Sequence, residues 1–379
     1  MSKSPSKNQK VAQTDSATTP VNAKESPSKT RKTRPAGRQK KKLFEQYKHS
    51  RPEQLTFFEM VSEGEEKYSQ TTELYDFLPK YFWGKAERVN GVYLPRLERD
   101  FVYKKQHYEI VILPASVEDE NGDEKYYYLT KRESLIEDAV IKLMVEGYGV
   151  FLDGNASVRF SLYILQKELK DHGHSYSYDE LKAGLRVLSR TLIQLRSPEA
   201  NIDLEFHPFT ALGFRGEEGE SQTYVMLSPL VCKSIFEQTY RLLNYEKVMA
   251  YRSVIARQLH KRLSHHYIQA SLSDKYEILL TTIVRDFGLT RQKRLQQNWQ
   301  EVEKAIEELK DSNIILNCYT TQIEDATSAR KKLVDIKISI QPHPEFIAEM
   351  KKANAKSRDI KEKAITLMLP SLFDNVRQQ

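Results

Sequence analysis

Arg291, Lys293 and Arg294 are followed by Gln296, Gln297 and Asn298. A guanidinium can pair bidentately with guanine, and a carboxamide can pair bidentately with adenine. Both kinds together at the start of a helix have the chemistry of base reading in a DNA major groove. A second set, Lys182, Arg186 and Arg190, recurs every four residues, so the three cations share one helix face. Arg196 follows in an extended segment. Arg330, Lys331 and Lys332 lie between two strand-like runs, where positive charge suits a phosphate backbone. A basic stripe is more often a solvated face than a contact. The stripe at 182–190 gains weight because it lies opposite a leucine stripe.

Enzymatic chemistry finds less support. The chain holds no Gly-x-x-x-x-Gly-Lys-Ser/Thr phosphate loop, which argues against an ATP-driven motor. His265-His266, His172-x-His174 and His343 lack the paired-histidine strand setting of a nicking enzyme. Tyrosine is abundant at 21 residues, so no single one stands out as a nucleophile. No catalytic residue, metal or cofactor is expected. Two cysteines, Cys232 and Cys318, give no disulfide framework and suit a reducing cytoplasm.

The elements that must hold the cations follow from periodicity. Residues 1–42 are rich in Ser, Thr, Pro and Lys and are expected to be a disordered basic tail. Residues 43–129 form an N-terminal extension with strand-like stretches at 91–94, 101–113 and 124–129. Asn121-Gly122 suggests one hairpin between the last two. Helical spacing starts at Ser134–Gly147, and a short strand follows at Tyr148–Leu152. Helices are expected at Val158–Lys170 and, capped by Ser177, at Tyr178–Thr191. Leu192–Arg196, Asn201–Phe206 and Gln222–Leu227 read as extended, with a loop at Gly213–Gly219, and Ser228–Leu243 as helix. The order then recurs: helix Lys247–His266, an extended piece at 267–270, helix Ser273–Phe287 and helix Thr290–Asp311. Strands at Ile314–Ile323 and Leu333–Ile340 and a helix at Glu345–Lys352 complete it.

Helix, short strand, two helices and a hairpin make a winged helix. The fold expected is therefore α+β, with winged-helix domains at 130–243 and 247–350 and a sparse tail at 351–379. The third helix of each can enter a major groove while the hairpin wing lies on the backbone. The first wing is expected to start at Leu192, which puts Arg196 on it. Winged helices also dock proteins, so a transcriptional regulator is the alternative, and a rolling-circle nickase a weaker one.

The charge is unevenly spread. Of 379 residues, the first 50 hold 13 basic and 3 acidic residues, and the remainder holds 46 basic and 49 acidic. Within 251–300 there are 9 basic and 3 acidic residues. Arg252, Arg257, Lys261 and Arg262 are expected on the outer side of the helix at 247–266. The longest apolar stretches, such as Ile110–Val117, are too short to span a bilayer, so no membrane partner is expected.

Gln54-Leu55-Thr56-Phe57-Phe58 resembles the bacterial sliding-clamp-binding pentapeptide, with Phe57 where Leu is usual. Tyr178–Thr191 before Leu192–Leu195, and Leu242–Tyr267, resemble the iteron-binding plasmid replication initiators of the RepA and TrfA type. The resemblance runs from about Tyr68 to Lys352. It implies binding of double-stranded origin DNA at direct repeats, origin melting, and recruitment of host replication proteins such as the sliding clamp, helicase or initiator. It also implies a monomer–dimer equilibrium in which a homodimer represses its own gene.

Overall fold

The computed structural model describes residues 68–71, 73–83, 95–118, 124–152, 155–216, 222–236, 241–267, 271–289, 295–325 and 333–358. The basic tail, Gln54–Phe58, the run at 91–94, Arg291, Lys293, Arg294 and Arg330–Lys332 lie outside these.

The extension begins with β1 (Tyr68–Thr71) and α1 (Glu73–Phe77). β2 (Leu97–Tyr103) and β3 (Gln106–Leu113) then form a hairpin turning at Lys104 and Lys105, whose φ angles are 48° and 67°. Two positive φ angles match the twist of a two-residue hairpin, here without Asn or Gly. β4 (Ala115–Glu118) pairs with β5 (Glu124–Tyr127) as a second hairpin. The single hairpin expected between 101–113 and 124–129 is thus two. The lysine turn carried none of the usual signal.

The first winged helix starts with α2 (Lys131–Leu143), where the Glu133 carboxylate accepts from the Thr130 N–H at 2.9 Å. A wide turn at Met144–Tyr148 uses Gly147 at φ 92°. β6 (Gly149–Leu152) and β7 (Asn155–Phe160) follow. α3 (Leu162–Asp171) is capped by Ser161, and α4 (Tyr178–Arg190) by Ser177. Residues 158–160 are therefore strand rather than the first turn of a helix. Next come β8 (Leu192–Ser197), β9 (Ile202–Phe206), β10 (Phe209–Arg215) and β11 (Gln222–Leu227). α5 (Pro229–Phe236) and β12 (Arg241–Asn244) close the unit, and β12 pairs with β1.

Strand pairing locates the wing. One sheet has the order β10-β11-β7-β6, and another β2-β3-β8-β9. The wing is therefore β10–β11, because β11 returns to the strand that precedes α3. β8 and β9 leave this sheet and extend the N-terminal hairpin. The expectation that the wing starts at Leu192 is corrected accordingly. β10 was hidden by Gly213, whose absent side chain leaves Tyr224 Cβ 3.9 Å from where a Cβ would stand.

The second winged helix has α6 (Tyr245–Ala250) and α7 (Val254–His266), separated by a break where the Ser253 hydroxyl accepts from Ala256 N–H. β13 (Tyr276–Leu279) leads into α8 (Leu280–Asp286). The expected helix at 273–287 is thus half strand, with Tyr276 and Ile278 buried and Glu277 and Leu279 exposed. α9 (Leu295–Asp311), β14 (Ile315–Glu324), β15 (Leu333–Pro342) and α10 (344–358) follow. The sheet order β13-β15-β14 is that of a winged helix with β14–β15 as wing.

Two buried clusters hold these units. The first joins Leu135, Leu185 and Val225 to Phe101, Ile110 and Ile112 of the extension. The second contains Leu259, Ile306, Ile338 and Phe346. Gly288 stands at φ +65°, and a Cβ there would meet Arg99 Nη1 at 2.5 Å and the Tyr81 carbonyl oxygen at 3.2 Å. Gly288→Ala is therefore expected to lower stability by about 1–3 kcal/mol, combining left-handed strain with a clash. Denaturant unfolding measures it.

Candidate nucleic-acid interface

α9 is the third helix of the second module. Asn298, Val302, Ala305, Ile306 and Leu309 are its buried residues. Spacings of four, three and four place Asn298, Val302, Ala305 and Leu309 on one inward stripe. Gln296, Gln297 and Gln300 are exposed. Asn298 was grouped with the base readers but is 3% exposed, so it leaves that set. Gln300 joins the exposed amides, one turn beyond Gln296. The helical period had the information to separate these two residues; three adjacent amide side chains concealed it.

α4 is the third helix of the first module. Leu181, Leu185, Val187 and Leu188 are buried, while Lys182, Arg186 and Arg190 stand on the other side. Lys182 Nζ lies 3.7 Å from Asp179 Oδ1, an exposed pair worth little. The Arg186 guanidinium lies 5.9 Å from the Phe214 ring of β10, which ties the helix to its wing. Arg190 Nη1 donates to the Ser116 carbonyl at 2.9 Å. Three of the four cations predicted for this module thus share one helix face. Arg196 does not join them: it lies on β8, where its Nε is 3.3 Å from Asp203 Oδ1 of β9. The first wing connects through Glu217, Glu218 and Glu220, the second through Arg330, Lys331 and Lys332. The connecting segments of the two wings therefore differ in the sign of their charge in sequence.

The basic residues expected on the outer side of 247–266 are mostly turned inward. Arg257 Nη2 lies 2.6 Å from Asp138 Oδ2 of α2, and Lys261 Nζ lies 2.6 Å from Asp138 Oδ1. Lys261 is also 3.6 Å from Asp76 Oδ1, and His265 Nε2 is 3.0 Å from Asp76 Oδ2. Arg262 Nη1 pairs with Asp286 at 2.9 Å. Only Arg252 of the four is exposed. Burial by itself would raise the Asp138 pKa, but Lys261 and Arg257 outweigh it and hold the carboxyl below its ordinary range. The Arg262–Asp286 pair lies within the second module; the other charges join α7 to α1 and α2, so they lock the two modules together. Lys131 Nζ to the Arg252 carbonyl (3.1 Å) and Trp83 Nε1 to the Phe287 carbonyl (2.7 Å) add to the same joint.

A second buried cluster holds α1 to α2. The Glu137 carboxylate accepts from the hydroxyls of Tyr75 and Tyr81 and lies 3.0 Å from Lys80 Nζ. Burial pushes both phenols well above their ordinary pKa, so they stay protonated. The histidines serve the fold: His172 Nδ1 is 2.9 Å from the Glu168 carbonyl, and His174 Nε2 2.9 Å from the Met249 carbonyl. Among the described residues no group of three or more His, Cys, Asp or Glu could hold a metal ion. No described helix is long and apolar enough to cross a membrane.

No protein-family profile matches the chain, and no curated protein sequence does. Among solved structures, it is similar to a selenomethionine derivative of domains 2 and 3 of RctB. That match has a TM-score of 0.42 and 12% identity over 68% of this chain and 95% of that one. A 155–483 fragment of RctB gives 0.37 and 13% over the same shares. The Pi initiator protein, solved in complex with iteron DNA, gives 0.38 and 12% over 64% of this chain and all of that one. The winged-helix assignment here rests on the strand orders given above.

Proposed function

We propose that this chain is a plasmid-type replication initiator that binds double-stranded DNA at direct repeats of an origin. The observation that carries this reading is the amide face of α9. Gln296, Gln297 and Gln300 stand free of the packed stripe on the third helix of a winged helix, directly after the cation-rich segment 291–294. A buried polar joint of α7 with α1 and α2 ties the two modules, as two readers of one repeat require. In this reading Arg291, Lys293 and Arg294 flank the amides in the groove. Arg330, Lys331 and Lys332 hold phosphate, and Lys182, Arg186 and Arg190 add contacts from the first module. Origin opening, recruitment of the host helicase or initiator, and clamp capture through Gln54–Phe58 belong to the same proposal, as does repression of its own gene by a homodimer. The chain is assigned no catalysis of its own.

Footprinting on origin DNA of the replicon tests the reading. Protection of an array of direct repeats supports it. Protection of a single palindrome favours a regulator, and strand cleavage in the presence of a divalent metal favours a nickase. The tail enters through salt dependence. Each phosphate neutralised adds about 0.9 to the slope of log affinity against log salt. Deleting residues 1–42 is expected to flatten that slope, as measured by titration at several salt concentrations.

A further inference from the structure

The exposed apolar surface of the described residues is concentrated on the sheet of the second winged helix. Nine large apolar side chains are exposed, and five of them, Leu279, Leu316, Tyr319, Ile323 and Val334, lie on the sheet β13-β15-β14. β14 is its last strand, so one edge of ten residues has no strand partner among the described residues. Only Ile315 and Cys318 of β14 escape full exposure. An exposed edge strand normally carries lysine, proline or a bulge to prevent pairing with another chain. From residue 316 to 323 β14 holds no charge and no proline; its register shifts at Ile315/Asn317 and at Ile323/Glu324, and the run between them is regular. Its composition, Leu-Asn-Cys-Tyr-Thr-Thr-Gln-Ile, favours a strand.

The chain itself supplies a matching segment. Residues 364–373 are uncharged, and Ile365, Leu367 and Leu369 alternate with Thr366 and Met368. Alternation puts Ile365, Leu367 and Leu369 on one strand face, and Pro370 ends the run. We propose that residues Ile365–Leu369 of one copy add as a strand to the β14 edge of a neighbouring copy. Their apolar face then covers Tyr319 and Ile323, which share one face of β14. The neighbour is favoured over the same chain because α10 leads away from the wing. It leaves the end of β15, contributes Phe346 and Met350 to the second core, and reaches the first core with Ala353. Asn354 then accepts from Arg241 Nη2 at 2.7 Å. A helix of this length runs about 22 Å. The six residues 359–364 reach at most about 25 Å from the helix end to Ile365, so a return to the same wing would need a fully extended linker doubling back along the helix. A tail-to-edge contact is heterologous, and it runs on from copy to copy unless the rotation between copies closes a ring. On the DNA reading above, it links copies that lie in one direction on successive repeats.

Cysteine trapping tests this in a Cys318→Ser background. Full chains carrying Thr321→Cys and full chains carrying Leu367→Cys are oxidised separately and as a mixture. Crosslinking found in the mixture, and at least tenfold weaker in either alone, is the expected result. Self-crosslinking of the Thr321→Cys chain would mean edge-to-edge pairing and overturn the proposal. A crosslink confined within one chain in the double variant would overturn it as well, and so would no crosslink. Amide exchange gives a second measure: β14 amides should exchange about tenfold faster after deletion of 359–379, and unchanged rates count against the contact. Deletion of 359–379 should abolish cooperative binding to two repeats and leave binding to one unchanged. Failure of unmodified chains to bind a single repeat would count against the DNA reading instead.

Discussion

Asp138→Ala is expected to destabilise the protein by about 3–5 kcal/mol, the range for removing one partner of a buried ion pair. Asp138 receives Arg257 at 2.6 Å and Lys261 at 2.6 Å, and its side chain is 10% exposed. The loss comes chiefly from the cations left behind. Arg257 is 2% exposed, and among the described residues its Nε and Nη1 find no hydrogen-bond partner. Replacing the Asp138–Arg257 pair by Leu and Met, with Lys261→Met to remove the remaining cation, should recover much of the loss, since apolar groups of similar volume need no counter-charge. If Asp138→Ala unfolds at the same denaturant concentration as the parent, the joint contributes nothing to stability. The sign of the pH dependence follows from the depressed Asp138 pKa. Its stabilisation is fully present above the ordinary aspartate value of 3.8 and is lost as pH falls through the lower folded value. Unfolding midpoints should therefore drop below about pH 4 in the parent, and Asp138→Asn should lack that part of the drop.

The same residues show what could be read from the chain and what could not. Leu181, Leu185 and Leu188 locate α4 by spacing alone, and the strands flanking 325–332 locate the second wing, because both signals are local. The first wing is not local in this sense. β8–β9 and β10–β11 are both extended hairpins after α4, and only the pairing of β11 with β7 chooses between them. The basic run at 252–262 failed for a related reason. Cations on a helix look alike in sequence whether they face water or a carboxylate. Here the carboxylates are Asp76 and Asp138, more than a hundred residues earlier, and for Arg262 it is Asp286, 24 residues later. Such charges are kept for the joint, where desolvation makes each partner obligatory. Asn298 differs again, since the α9 period already turned it inward, and the chemistry of its side chain drew attention away from its position.

That distinction makes the amide face of α9 the sharpest test of function. Gln296→Ala with Gln297→Ala is expected to lower affinity for the cognate repeat by about 1–3 kcal/mol for each base pair read, or tenfold to more than a hundredfold for each. Affinity for random DNA should hardly change, because phosphate contacts supply non-specific binding and carry no sequence information. Both side chains are exposed, so the fold should be unaffected. Asn298→Ala should behave oppositely. It removes a buried polar side chain from the inward stripe, so it should lower the unfolding midpoint and leave the ratio of specific to random binding in place. Competition binding with cognate and random duplexes, paired with thermal unfolding of each variant, separates the two effects. Equal losses on both duplexes for the glutamine pair would mean that α9 contacts only the backbone, and base reading would then fall to the cations at 291–294.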